Sequence, residues 1–337
     1  MGGKKVGIAL TLLGIVVIIV ALVLKFTIVE GMKQWPDDVD TTRYYEGELN
    51  TMLNAEALAE MDVLNVFVHD VPVDISRHYT TEETNGTKAI VREIITMAGP
   101  NEEAIMATDK FYAIDRKTME AVPGFCDEYD VPDREGLAFQ FPIGAKDESY
   151  NRWVSDLQTT VEIAFLEEEE RGGISCYVYE SVVEPGEIVD PSVLGVLPST
   201  LPKSLLSMMA MILDLPDDKK AALDAILPNL PEQVPLKYVY EYNATYWIEP
   251  TTGMNIDVQR HEVRSAALEI GEQLISLTPV FDVDYQSTEA SIEEAVDDAR
   301  AIKDDITLWG STVPYILIAF GAVLGIFGIL LISRRQL

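Results

Sequence analysis

Tyr238–Val263 reads YVYEYNATYWI-EPTTG-MNIDVQRHEV. Two runs rich in aromatic and β-branched residues flank a short polar stretch that ends in glycine. Such runs favour extended backbone, and a glycine supplies the left-handed position of a tight turn, so the stretch predicts a β-hairpin turning at Glu249–Gly253. The pattern recurs along the chain. Thr159–Leu166 and Ile174–Val183 flank Glu167–Gly173, and Ala104–Ile114 and Thr118–Val122 flank Asp115–Lys117. Lys88–Met97 follows the turn signal Asn85-Gly86, and Val71, Val73 and Ile75 alternate with Pro72, Asp74 and Ser76 in the period of a half-buried strand.

Two helical zones interrupt the strands. Leu201–Leu227 is apolar and methionine-rich up to Pro216, where the helix must break because proline lacks the amide proton. Thr288–Leu308 is rich in Ala, Glu, Asp and Lys, with Ser291 and Glu294 placed as a capping box.

The two ends of the chain differ from everything between them. Val6–Leu24 and Val313–Ile332 are uncharged apolar runs, each long enough to cross a hydrocarbon core of about 30 Å as a helix. Lys4 and Lys5 precede the first, and Arg334 and Arg335 follow the second. Basic flanks stay on the cytoplasmic side, so both termini are expected inside and the intervening chain outside. No small-residue cleavage site follows the first run, which predicts a retained anchor. Gly321 and Gly325 form a G-x-x-x-G that favours close helix packing.

The expected fold class is therefore α+β: a β-rich antiparallel extracytoplasmic domain with a helical insert, flanked by two transmembrane helices. The boundaries are 1–29 for the N-terminal tip and first span, and 311–337 for the second span and basic tail. Residues 30–310 form the outer domain, with the insert at 201–227 and a stalk helix at 288–309.

All 56 acidic residues lie between Glu30 and Asp305, and the chain carries a net charge of −31. That balance repels phosphate backbones and excludes nucleic acid as a partner. It suits a solvated surface in a cation-rich exterior. His69, His78 and His261 are scattered and no HExxH or CxxC occurs, so no zinc site is expected. Asp37, Asp38 and Asp40 lack the spacing of a calcium loop. No nucleophile motif and no phosphate-cradling loop occurs, so the sequence predicts neither enzyme nor cofactor.

The candidate site residues are few. Leu205, Met208, Met209 and Ile212 form the apolar part of the insert, and methionine suits surfaces that accept variable apolar partners. Cys126 and Cys176 are candidates for one disulfide, or are two small buried hydrophobes. Asn85 and Asn243 head N-glycosylation sequons. Arg116 in Asp115-Arg116-Lys117-Thr118 has the geometry for an anion, although Asp115 and Thr118 also suit a turn cap.

Several of these stretches carry a family resemblance. Pro36-Asp37-Asp38-Val39-Asp40-Thr41-Thr42, Ile114-Asp115-Arg116-Lys117-Thr118, Phe139-Gln140-Phe141-Pro142 with Tyr150 and Trp153, and Tyr246-Trp247-Ile248-Glu249-Pro250-Thr251-Thr252-Gly253 occur in this order. In them the chain resembles the PorA family of actinobacterial and archaeal envelope proteins, also called the domain-of-unknown-function 3068 family. The resemblance implies a β-rich domain enclosing an apolar cavity and carriage of an envelope lipid or lipoglycan. The functional expectation is a plasma-membrane protein whose outer domain binds a lipid or glycolipid. The alternatives are an adhesive surface protein, or a non-catalytic subunit that pairs with itself or with another membrane protein.

Overall fold

The computed structural model describes residues 2–102, 104–125, 128–212, 216–271 and 273–333. The chain begins with α1 (Gly2–Val23), a π-helical turn at Leu24–Ile28 and α2 (Val29–Met32). It continues through β1 (Asp40–Leu53), α3 (Ala55–Ala59), β2 (Phe67–Asn85), β3 (Lys88–Ala98) and β4 (Ala104–Asp115). A long irregular segment leads to β5 (Tyr150–Val154), β6 (Thr159–Arg171) and β7 (Ile174–Glu187). The insert comprises α4 (Pro191–Leu194), β8 (Thr200–Pro202), α5 (Lys203–Ile212), α6 (Asp217–Ile226) and β9 (Gln233–Pro235). Then follow β10 (Lys237–Glu249), β11 (Met254–Ile270), β12 (Gln273–Ser287), α7 (Glu289–Thr307), a second π-helical turn at Leu308–Thr312 and α8 (Val313–Ser333).

Ten strands form one antiparallel sheet in the order β4-β3-β2-β1-β12-β11-β10-β7-β6-β5. The sheet curls until its two edges nearly meet. Ile114 of β4 bridges to Ala121, Glu120 bridges to Leu137, and Leu137 bridges to Arg152 of β5. The result is a barrel whose seam is held by single-residue bridges. Closing the edges in this way leaves few free amides for another chain to pair with.

Register keeps one side-chain row facing inward from strand to strand. Val73 pairs with Gly47, Gly47 with Tyr285, Tyr285 with Arg260, and Arg260 with Ala244. Glycine is required at this point of β1, because a β-carbon on Gly47 would lie 2.8 Å from that of Tyr285. The interior is closed by the segment between β4 and β5. Phe139 packs on Trp35, Tyr79 and Tyr112, and Phe141 packs on Tyr150, Tyr179 and Tyr246.

A second apolar cluster covers one end of the barrel. Leu205, Leu206, Met209 and Ala210 of α5 pack with Leu223 of α6, Val66, Leu268 and Leu277. A third cluster binds α7 to the outer face, where Ala295, Val296 and Ala299 sit on Cys176, Val178, Trp247 and Ile256.

Most predicted elements are present, with three differences. Glu167–Arg171 is strand and not turn, because these residues pair with Ile174–Val178 and only Gly172 and Gly173 make the turn. Thr118–Val122 contributes isolated bridges in place of a strand. The cap of α7 is Thr288, whose side chain accepts from Ser291 N. The Ser291 hydroxyl instead accepts from Tyr44 N, and Glu294 pairs with Arg43, so neither is free to form a capping box.

The residues 3–32 and 289–333 form two helices long and apolar enough to cross a membrane. They pack antiparallel through glycine. A β-carbon on Gly7 would meet Gly328 O at 2.7 Å, one on Gly14 would meet Gly325 N at 2.9 Å, and one on Gly321 would meet Gly14 O at 2.7 Å. Backbones this close gain dispersion energy that bulkier residues would prevent. Gly321 and Gly325 are thus both at the contact within the chain, joined by Gly328, although a β-carbon on Gly325 would itself meet open space.

Candidate functional site

An open cleft of about 820 Å³ lies on the outer face of β2, β1, β12, β11 and β10. Its walls carry Glu46, Glu48, Asp74, Asp284, His261 and Asn243. Register places Glu46 directly opposite Asp74, and Glu48 directly opposite Asp284. Like charges in facing positions destabilise a sheet. His261, Asp282 and Asp284 bring one ligand atom each to within 4.8 Å of one another. Asn50, at a bulge in β1, donates to both carboxylates at 2.9 and 2.8 Å. The cleft offers carboxylates and amides to hydroxyl groups or cations and disfavours anions.

The barrel interior has the opposite character. Arg77 donates to Glu93 at 2.7 Å, and Tyr112 donates to the other oxygen of Glu93 at 2.7 Å. Arg264 pairs with Asp156 at 2.7 Å and with Glu262 at 3.0 Å. Arg260 lies 3.0 Å from Glu262 and 4.0 Å above the ring of Tyr242. Burial raises the pKa of Glu262, but Arg260 and Arg264 outweigh it and hold the carboxyl down at about 2. The same contest, decided chiefly by Arg77, leaves Glu93 below the usual carboxylate range. Burial raises the phenols of Tyr79, Tyr112 and Tyr240, which stay protonated and donate.

A pH prediction follows from Glu262. Its folded pKa is depressed, so its contribution is fully present above the unfolded value near 4.5 and is lost as pH falls toward 2. The contribution is on the order of 3 kcal/mol. In urea unfolding series, the stability difference between wild type and Glu262→Gln should be constant above pH 5 and shrink between pH 4.5 and 2. A difference that does not change with pH would refute the assignment.

The sequence candidates are distributed over different parts of the fold. Leu205 and Met209 face the packed cluster at the capped end, and Met208 is 44% exposed. Ile212 ends α5, and its side chain lies outside the described residues. Cys176 is fully buried under α7, with its thiol pushed up to about 12 by burial, and Cys126 lies outside the described residues. Asn85 is exposed at the β2–β3 turn, and Asn243 is exposed in the middle of β10 on the wall of the cleft.

Two motifs with the chemistry for a ligand are clasps in this structure. Buried Arg116 donates to Trp35 O at 2.6 Å and Gly86 O at 3.2 Å, while Asp115 caps its turn through Lys117 N and Thr118 N. Glu249 accepts from Thr252 N at 2.8 Å and pairs with Lys303 of α7 at 3.2 Å. The interior network was absent from the sequence candidates. A signal for it exists: Arg260 and Glu262 alternate in the run read as strand, and Arg264 continues the alternation just past its end, which puts three charges on one face.

Comparisons with known proteins agree with the resemblance. Two curated relatives named Porin PorA are similar over nearly their whole length. One from Corynebacterium resistens is 23% identical, covering 99% of this chain and 97% of its own. One from Corynebacterium amycolatum is 22% identical, covering 98% and 99%. Among solved structures, the double-hotdog protein RV0216 of Mycobacterium tuberculosis is 10% identical with a TM-score of 0.15, covering 80% of each chain. A MaoC-domain dehydratase of Chloroflexus aurantiacus is 9% identical with a TM-score of 0.14, covering 81% and 82%. Scores so low carry no argument about fold or chemistry. A family model described as Porin PorA matches residues 6–330, and the chain therefore belongs to the PorA family.

Proposed function

We propose that this protein is a double-anchored envelope protein without enzymatic activity, which holds its barrel outside the plasma membrane and binds a lipid or glycolipid there. The observation that carries the topology is the antiparallel, glycine-packed pair α1 and α8, which brings both chain ends to one side. Lys4 and Lys5 support a cytoplasmic position for that side, since basic flanks stay inside. The barrel itself belongs in water. A membrane barrel turns an apolar band outward, whereas Glu46, Glu48, Asp74 and Asp284 face outward here.

The ligand enters at the capped end, where α5 presents Met208 and Met211 to solvent above the buried Leu205 and Met209. Methionine side chains adapt to acyl chains of different shape. Native mass spectrometry of the full chain, purified from its own host and extracted with organic solvent, tests this reading. A stoichiometric lipid is expected, and Met208→Asp should reduce the lipid recovered at least fivefold while the protein stays folded. An empty wild-type protein would transfer the weight to an adhesive or complex-forming role. Lipid retained by Met208→Asp would place the ligand elsewhere.

A further inference from the structure

Among the described residues, the barrel interior holds more positive than negative charge, in a chain that carries −31 overall. Arg77, Arg152, Arg260 and Arg264 face Glu93, Glu262 and Asp156. The member without a carboxylate is Arg152. It forms no ion pair with a described acidic residue, and its Nη1 donates to the hydroxyl of Tyr246 at 3.0 Å.

Aromatic rings do not satisfy these guanidinium groups. Arg152 lies over Tyr246, Arg260 over Tyr242 and Arg264 over Tyr240. A ring covers the face of a guanidinium, whereas its N–H groups point out in the plane and still require acceptors. Some lack them. Nε of Arg77 is buried without a hydrogen-bond partner, and so is Nε of Arg260, whose approach to Glu262 has the wrong direction for one. Buried donors without an acceptor are rare in folded proteins, and a bound ion is one of the ways in which they are completed.

The local potential is correspondingly positive. Burial raises the phenol of Tyr246, yet Arg152, Arg260 and Arg77 outweigh burial and hold it below the ordinary tyrosine value. Burial acts against the charge of Arg152, as do Arg260 and Arg77, but the oxygens of Tyr246 and Tyr242 outweigh them and hold the guanidinium above its ordinary pKa. The three groups therefore share one small region, with no anion of the described residues among them except the already engaged Glu93 and Glu262.

Arg152 is half-buried and lies at the edge of the sheet. Arg152 belongs to the edge strand β5, and its backbone bridges to Leu137 in the single-residue seam toward β4. A seam of isolated bridges opens more cheaply than a continuous ladder.

We propose that the barrel interior beside this seam binds an oxyanion, a phosphate or carboxylate group, through Arg152 together with Arg77 and Arg260. Guanidinium N–H pairs fit two oxygens of such a group in one plane. The site is separate from α5 and stands whether or not α5 receives an acyl chain. The oxyanion comes either from solution or from the headgroup of an anionic lipid.

The test uses the full chain in neutral detergent at fixed ionic strength. Inorganic phosphate is titrated by calorimetry, and in a second arm the protein is offered mixed micelles of phosphatidylglycerol or of phosphatidylcholine. Saturable binding is expected in at least one arm, weakened at least tenfold in Arg152→Gln. Binding of inorganic phosphate identifies a free anion. Binding of phosphatidylglycerol alone, with phosphatidylcholine excluded, identifies a headgroup. If Arg152→Gln fails to fold, Arg152→Lys keeps the charge without the planar fork and should still bind several-fold more weakly. Unchanged affinity in the folded variant, or no saturable binding in either arm, overturns the site. Lipid recovered from a protein that ignores both anions would overturn this inference and leave the carrier reading intact. Anion binding by a lipid-free protein would do the reverse.

Discussion

Replacing Glu93 by leucine is expected to destabilise the barrel by about 3–5 kcal/mol, the usual cost of leaving a buried charge without its partner. Glu93 is 1% exposed and accepts from Arg77 and Tyr112. Leucine removes both acceptors and leaves the Arg77 guanidinium, already short of a partner at Nε, surrounded by protein. The loss belongs to the broken pair and not to the carboxylate alone. The double variant Glu93→Leu with Arg77→Met should therefore recover most of the stability, to within about 1 kcal/mol of wild type, since apolar replacements of buried pairs are often neutral. Urea unfolding of the full chain in detergent measures all three variants. A single variant within 1 kcal/mol of wild type would show that water, and not Glu93, solvates Arg77. A double variant no better than the single would show that Arg77 is held by other groups.

Replacing Gly253 by alanine should cost a similar amount, about 3–5 kcal/mol, for a different reason. Gly253 has a φ of +70° at the end of the β10–β11 turn. Holding a side-chain-bearing residue there costs roughly 1–2 kcal/mol. A β-carbon would also lie 2.6 Å from Phe141 O, with Pro142 O in contact as well. Those oxygens are backbone and belong to the segment that closes the barrel interior, so relief requires moving Phe141 away from Tyr179 and Tyr246. Forced displacement of a packed group typically adds about 1–3 kcal/mol. Gly86→Ala is the control: its φ of +61° is similar, but a β-carbon there meets nothing. Equal losses at the two positions would mean that backbone conformation alone matters and that the contact with Phe141 and Pro142 has no weight.

The contrast between these glycines separates what is local from what is not. Both were readable as turn positions, since a polar stretch ending in glycine between β-rich runs specifies a hairpin through local chemistry. The same holds for the break at Pro216, which separates α5 from α6. It holds for the two apolar terminal helices, whose composition alone sets their length and environment. What made Gly253 irreplaceable was not readable. Phe139–Pro142 and Tyr246–Gly253 stand over a hundred residues apart, and only the curl of the sheet lays one on the other. Trp35 and Arg116 meet in the same way.

Charge placement divides along the same line. The sequence by itself determined that the chain is acidic, that its strands alternate, and that its two ends are apolar helices. Each of these depends on composition or on a period of two or three to four residues. The tertiary structure alone decided that ten strands close through Leu137, and that Arg77, Arg152 and Arg260 share one interior with too few carboxylates. It also decided that Glu48 faces Asp284 across β1 and β12, two strands from opposite ends of the chain. The reason is register. A one-residue shift in any pairing sends a strand's charges to the opposite face, and that register is fixed by long-range packing of the whole barrel.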